Sequence, residues 1–207
     1  LERPTTATHV ITAIIVVLFG VELLAGATSS APMLLRMGAN APALVAEGQW
    51  WRLFSVHALH GSIVHAFMNA LALSSLGSVE QLLGTRRFIV VALAGGWLGF
   101  IASTVFGHYA IAVGASAIAF ALMGSLLTIQ LMRGRSLPAG TTMTRRSWVI
   151  TLGINVAISL LPNVDMIAHA GGFAGGALLT FVLIRGDGAL DRVSSPRLTL
   201  AAAITVA

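Results

Sequence analysis

Two polar residues, Ser116 and His169, stand in separate apolar stretches of this chain and have the side chains that covalent hydrolysis needs. The serine follows Gly114 by two positions, and the histidine comes shortly before two adjacent glycines, Gly171 and Gly172. A hydroxyl beside an imidazole is the minimal pair of nucleophile and general base. Polar groups inside a bilayer cost free energy, so an intramembrane serine and histidine indicate a functional site.

The composition places these residues in a membrane protein. Of the 207 residues, 57% are hydrophobic and only 9% are charged, which is typical of polytopic membrane proteins. A helix needs about 20 apolar residues to span the hydrocarbon core. Candidate stretches lie at about 9–27, 60–83, 87–107, 114–132, 147–162 and 166–185.

These stretches use most of the chain, so we expect an all-α membrane protein, a six-helix bundle that forms a single domain over residues 1–207. The fifth stretch is short and must recruit flanking residues to cross the membrane. The last apolar run, 198–207, is too short to span and is interpreted as a truncated seventh helix or an interfacial tail.

The basic residues indicate the orientation of the bundle. All twelve are arginine, and only Arg36 and Arg52 fall in the loop between stretches 1 and 2. The other ten fall in the N-terminal segment, the 2–3 and 4–5 loops and the C-terminal segment. Because cytoplasmic loops carry the excess of basic residues, both ends of the six-helix core are expected in the cytoplasm. This pattern accounts for the net charge of +5 without nucleic-acid binding. Arginine without lysine, together with abundant alanine, glycine and valine, indicates a GC-rich bacterium, so the expected location is a bacterial inner or plasma membrane.

With this orientation, stretches 2, 4 and 6 all run from outside to inside. Stretch 2 opens with His60, His65 and Asn69, stretch 4 opens with Ser116, and stretch 6 opens with His169. At about 1.5 Å per residue, the serine and the histidine of stretch 6 lie only a few Å beyond their helix starts. All candidate catalytic groups are therefore expected on the outer side of the membrane.

Each of these residues also has a purely structural interpretation. A serine near a helix start caps the helix or bonds a carbonyl one turn back. A buried histidine packs with its hydrogen bonds satisfied, and His65 and Asn69 are suited to bridging helices. Four such roles would have to coincide at similar depth, which favours a shared site.

Small residues predict how the two chemical groups meet. The glycines within 171–176 recur four residues apart, a spacing typical of close helix packing. Stretch 4 offers Ala117, Ala121 and Gly124 at helical spacing in return. Contact between these faces would bring the histidine to the serine; dimerisation is the alternative, and the oligomeric state stays open.

Together the motifs resemble those of the rhomboid intramembrane serine proteases, from about Trp50 to Ile184. The similarity rests on Trp-Arg in the first external loop, His…His…Asn in the second helix, Gly-x-Ser in the fourth and Ala-His-x-x-Gly-x-x-x-Gly in the sixth. The residues that carry these motifs are Trp51, Arg52, His60, His65, Asn69, Gly114, Ser116, Ala168, His169, Gly172 and Gly176.

The resemblance implies a six-helix fold around a water-filled cavity that opens to the outside. It implies Ser116 as nucleophile and His169 as general base, with no third carboxylate, so Asp165 is interpreted as a loop or capping residue. His65, Asn69 and the serine backbone amide would bind the oxyanion. The implied supporting residues are Arg52, His60, Gly114, Phe120, Gly172 and Gly176.

The resemblance further implies an endopeptidase that cuts single-pass membrane proteins near the external end of their transmembrane helix. It implies no cofactor, no metal and no nucleic acid; the partners are the substrate and the lipid bilayer. Two positions depart from the family pattern. Ala117 replaces the usual glycine after the serine; its methyl is able to crowd the backbone or the oxyanion site, and its effect on activity stays open. Phe120 replaces a frequent tyrosine, and its ring is still able to stack on the histidine.

Three other classes of function compete with a protease. An inactive rhomboid-like scaffold that holds membrane clients is supported by Ala117, although the chain retains both Ser116 and His169. A transporter would require repeat symmetry or ionisable groups at mid-membrane, and neither is evident. A metal site would use His57, His60, His65 and His169, which share one side, but they lack the His-Glu-x-x-His spacing. The chain has no cysteine, which excludes thiolate catalysis.

Overall fold

A computed structural model describes residues 4–134, 137 and 141–193, with side chains described through residue 186. The described residues fold into helices joined by turns, with a single isolated bridge between Asn40 and Ala112. The α-helices are α1 (Thr6–Leu24), α2 (Ala31–Met37), α3 (Pro42–Ala46), α4 (Arg52–Ser55), α5 (Ile63–Ser75), α6 (Gly77–Leu83), α7 (Thr85–Phe106), α8 (Ser116–Arg133), α9 (Arg145–Ser159) and α10 (Met166–Val193). The run 198–207, interpreted from sequence as a helix or tail, lies outside the described residues.

Four helices in the described part of the chain are long and apolar enough to cross a membrane: α1, α7, α8 and the segment Met166–Gly186 of α10. A fifth candidate joins Arg52–Ala58 to Ile63–Leu83 across a bend of 94°. The protein is therefore a multi-pass helical membrane protein. The predicted fifth stretch forms α9, whose 15 residues extend only about 22 Å, less than the ~30 Å of hydrocarbon.

Glycines hold α7, α8 and α10 together at backbone contact. A methyl group at Gly172 would collide with the carbonyl oxygen of Ala117, and one at Gly176 would collide with that of Ala121. On α7, a methyl at Gly99 would lie 2.6 Å from the carbonyl oxygen of Ala168. The predicted contact between stretches 4 and 6 is thus confirmed, and it is made through the small residues of both.

The loop after α1, expected only as a loop, folds into α2, α3 and α4. Buried Arg52 organises it by donating hydrogen bonds to the carbonyls of Leu35 and Ala39, at 2.7 and 2.9 Å, and to Gln49. The backbone of Asn40 pairs with the segment before α8. The Trp-Arg motif therefore has a structural role beside the start of α8.

A buried carboxylate fixes the opposite end of α1. Glu80 on α6 accepts hydrogen bonds from the backbone N–H groups of Ala7 and Thr8, at 3.0 and 2.8 Å, and from the Thr85 hydroxyl at 2.8 Å. The first N–H groups of a helix lack intrahelical partners, so this carboxylate acts as a cap from another helix. It fixes α1 against the α6–α7 corner.

Candidate active site

Ser116 is the first residue of α8 and follows a tight turn. The turn needs a glycine, because Gly114 has φ +129° and a methyl there would lie 2.7 Å from the ring of His65. The amide of Gly114 donates to the carbonyl of Val56 at 3.0 Å, and the amide of Ala115 donates to Nε2 of His60 at 3.4 Å. The backbone that presents the serine is therefore fixed by the segment before α5.

His169 lies in the first turn of α10, which Asp165 caps. Oδ1 of Asp165 accepts a hydrogen bond from the amide of Ala168 at 2.9 Å, and Oδ2 bonds the hydroxyl of Ser103. This confirms the interpretation of Asp165 as a capping residue. Its carboxylate is occupied by the helix start and by α7, and the imidazole uses another partner.

The ring of His169 is held on two sides. Phe120 of α8 stacks on it, with centroids 4.1 Å apart and planes inclined by 14°. This confirms the stacking predicted for the phenylalanine. Nδ1 of the imidazole is hydrogen-bonded to Oγ of Ser159 at 2.7 Å. Nε2 has no hydrogen-bond partner among the described residues and remains available as a base.

One cavity of about 890 Å³ joins the groups that the sequence assigned to the site. Ser116, His169, His65, Asn69 and Phe120 all line it. The first turns of α5, α8 and α10 therefore meet at the same end of the bundle, as the shared position of these residues predicted. The cavity continues between α5 and α9 along an apolar wall formed by Met68, Ala72, Met123, Leu126, Trp148 and Ile158.

The two residues proposed for the oxyanion differ in how firmly they are held. Asn69 is buried, and its side-chain amide donates to the carbonyl of His65 one turn earlier, at 3.0 Å. The ring of His65 is half-buried, over Gly114. An amide N–H and an imidazole N–H are both donors of the kind that stabilise a developing oxyanion.

His60 does not line the cavity. It is fully buried behind His65, with ring centroids 5.1 Å apart, and its backbone amide donates to Glu22 of α1 at 2.8 Å. His57 packs edge-on against the ring of Phe100, 5.0 Å away. Of the four histidines, His65 and His169 line the cavity, whereas His57 and His60 are buried behind it. Among the described residues, no three His, Asp or Glu side chains are arranged to hold a metal ion.

The position of Ala117 shows where its methyl lies, which the sequence left open. The methyl is buried away from the cavity and faces α7, so it does not crowd the site next to the nucleophile. A methyl at Gly99 would lie only 3.0 Å from it. A glycine on α7 therefore makes room for the alanine, and the cavity keeps its shape.

Sequence reasoning missed two polar residues near the site. Glu22 is fully buried on α1 and bonds the backbone of His60; a carboxylate in an apolar stretch was the signal that could have found it. Ser159 ends α9 and bonds the candidate base. No local pattern marks this serine, because its partner lies ten residues away on the next helix.

The structure thus defines a multi-pass membrane protein in which a serine and a histidine from two glycine-packed helices share one cavity. Comparison with known proteins agrees with this description. The family profile described as the Rhomboid domain matches residues 47–186. The chain belongs to the rhomboid family.

The relatives include proteases by name. The chain is 36% identical to rhomboid protease GluP of Bacillus subtilis (strain 168) over 174 residues, which cover 83% of this chain and 33% of that protein. It is 36% identical to RHOMBOID-like protein 4 of Arabidopsis thaliana, covering 71% of this chain and 37% of that protein. RHOMBOID-like protein 7 of the same plant is 36% identical over 75% of this chain and 50% of its own length. The chain therefore spans a third to a half of these relatives, and family membership supports intramembrane protease activity in general.

Proposed function

We propose that this protein is an intramembrane serine endopeptidase that works through a dyad of Ser116 and His169. The observation that carries the proposal is the shared cavity. Two helices that pack through glycines bring a half-buried hydroxyl and an imidazole with a free Nε2 to the same cavity. His65 and Asn69 add hydrogen-bond donors to the same space.

In the proposed reaction, Nε2 of His169 accepts the proton of Ser116 as Oγ attacks the scissile carbonyl. The carbonyl oxygen becomes an oxyanion, which the side chains of His65 and Asn69 and the amide of the serine stabilise. The serine begins α8, so its N–H has no intrahelical partner and lies at the positive end of the helix dipole. The imidazolium then protonates the leaving amine, and water releases the acyl group by the reverse sequence.

The proposed substrate is the transmembrane segment of a single-pass protein, cut near the external end of its helix. The apolar part of the cavity between α5 and α9 suits such a segment. The scissile residues must unwind, because a helical amide is hydrogen-bonded and shielded. The arginine distribution supports placing the site on the outer side of the membrane. In this proposal the chain is a single membrane domain with its core at about 50–185, and the membrane is a bacterial inner or plasma membrane.

An inactive scaffold is the weaker proposal. Its main support was the alanine after the nucleophile, and the methyl of Ala117 packs against α7 outside the cavity. Nothing else in the described residues favours it.

The direct test is labelling of the purified protein with a fluorophosphonate, followed by peptide mass analysis. We expect the wild-type chain to carry the label on Ser116. Ser116→Ala and His169→Ala should each abolish labelling. Because the two residues act as a unit, substrate cleavage by the double variant should be hardly lower than cleavage by either single variant. A label on another residue, or undiminished labelling of Ser116→Ala, would remove the serine from its role.

A further inference from the structure

Ser159, the last residue of α9, contacts the candidate base directly. Its Oγ lies 2.7 Å from Nδ1 of His169 and also 2.7 Å from the carbonyl oxygen of Asn155, one turn earlier in α9. Both side chains of the pair are buried, with 5% and 6% of their surface exposed. This hydrogen bond is therefore shielded from water.

The number of available protons decides whether Ser159 donates to the carbonyl of Asn155 or to Nδ1 of His169. A serine hydroxyl has one proton and two lone pairs, and a carbonyl oxygen only accepts. If Ser159 donates to Asn155, its lone pair must accept a proton from Nδ1 of His169, and both hydrogen bonds form. If Ser159 donates to Nδ1 instead, the carbonyl of Asn155 loses this donor and only one bond forms. The first arrangement makes two hydrogen bonds with the same groups and the second makes one, so the first is favoured.

The favoured arrangement fixes the tautomer of the imidazole. With the proton on Nδ1, Nε2 has a free lone pair and is able to accept the proton of Ser116. In serine proteases with a third residue, a carboxylate at Nδ1 holds the histidine in this tautomer and orientation. Here Asp165 does not perform that role, since its carboxylate caps α10 and bonds Ser103.

The packing of α9 gives a second, independent reason to assign Ser159 a role. Only Trp148 and Ser159 are buried in this helix. The indole of Trp148 donates to Gln130 of α8 at 3.0 Å, and the hydroxyl of Ser159 bonds α10. The helix is thus attached by one polar contact near each end, and the second of these contacts is to the candidate base.

We propose that Ser159 is a positioning residue. Its hydroxyl holds His169 in the tautomer that leaves Nε2 free to accept the proton of Ser116. This inference rests on the proposed function, in which His169 is the base. The hydroxyl acts through the imidazole and does not line the cavity. Its loss should therefore lower kcat and leave KM for a peptide substrate nearly unchanged.

The experiment compares Ser159→Ala with Ser159→Thr and a control. Thr128→Ala removes a similar hydroxyl-to-carbonyl bond, from Thr128 to Gly124 at 3.0 Å, at a position where no histidine is bonded. Fluorophosphonate labelling rates and kcat are measured in liposomes. The protonation of the ring nitrogens of His169 is read from ¹⁵N NMR of histidine-labelled protein, with His169→Ala used to assign the signals.

We expect Ser159→Ala to label about tenfold more slowly, the change that one neutral hydrogen bond brings to a tautomer equilibrium. Ser159→Thr should recover most of the rate, and Thr128→Ala should retain it. Neutral His169 should have its proton on Nδ1 in the wild type and shift toward Nε2 in Ser159→Ala.

A full labelling rate in Ser159→Ala, or a wild-type His169 protonated on Nε2, would overturn the inference. The NMR measurement does not need an active enzyme. A wild-type protein that fails to label would refute the proposed protease, and the tautomer would still test the role of Ser159.

Discussion

At the scale of residues, the site depends on which groups are free and which are already bonded. The carboxylate of Asp165 is committed to the start of α10, and Nδ1 of His169 is committed to Ser159. What remains is Nε2 and the hydroxyl of Ser116, on the wall of one cavity. Among the described residues, no carboxylate contacts the imidazole of His169. Its ring is held instead by stacking on Phe120 and by a neutral hydrogen bond to Ser159.

The protonation of His169 gives a testable pH dependence. The base must be neutral to accept a proton, so cleavage should be lost in acid and should rise with pH as the imidazole loses its proton. The rate should be insensitive to EDTA, because no metal takes part in the proposed chemistry. Rates are measured in liposomes across pH with and without chelator, and inhibition by EDTA that zinc reverses would favour a metalloenzyme instead.

Ala117 gives a second test at this scale. Ala117→Gly should leave the labelling rate close to that of the wild type, because the methyl lies against Gly99 and outside the cavity. The cost is a glycine in the first turn of α8, roughly 0.5–1 kcal/mol in a soluble helix, which thermal unfolding would detect. A folded Ala117→Gly protein without activity would show that the methyl shapes the site after all.

At the scale of elements, the chemistry depends on how closely α7, α8 and α10 approach. Gly172 and Gly176 of α10 leave space only for the carbonyl oxygens of α8. This contact sets the distance between the helix that holds the serine and the helix that holds the histidine. Small residues take this role because membrane helices associate through close packing and not through burial of apolar surface from water.

A matched pair of glycine substitutions tests this contact. Gly176→Ala would place a methyl against the carbonyl oxygen of Ala121, whereas Gly153→Ala on α9 meets no atom within 4 Å. The first should destabilise the protein by about 1–3 kcal/mol, as overpacked cores do, and should reduce labelling of Ser116. Gly153→Ala should change neither the stability nor the labelling of Ser116. Equal melting temperatures for the two variants, measured in the same detergent, would contradict the packing role of Gly176.

Short motifs explain why much of this arrangement was predictable. The glycines of α10, the small residues of α8 and the polar groups at the starts of α5, α8 and α10 are local signals, and regular helices place them on a common side. The roles of Ser159 and Glu22 depend on partners in other helices, and no spacing rule encodes those. The space for the Ala117 methyl is likewise left by Gly99 on α7. The residues next to Ser116 in the sequence do not show that this methyl lies outside the cavity.

At the scale of the whole molecule, α9 is the element that differs most from expectation. It was predicted as a full span, yet it has 15 residues, mostly exposed, and two polar attachments. It lies along the apolar part of the cavity, opposite α5. The bundle thus combines a closely packed unit of α7, α8 and α10 with a lightly packed wall, on the side proposed to receive a transmembrane substrate.

The central claim is tested most directly by cleavage of a model single-pass protein in liposomes, with the product masses determined. The wild-type protein is expected to cut once, near the external end of the substrate helix, and Ser116→Ala is expected to yield no product. Equal cleavage by both proteins would contradict the assignment of the nucleophile. A cut that maps to the cytoplasmic end would contradict the orientation inferred from the ten-to-two arginine distribution.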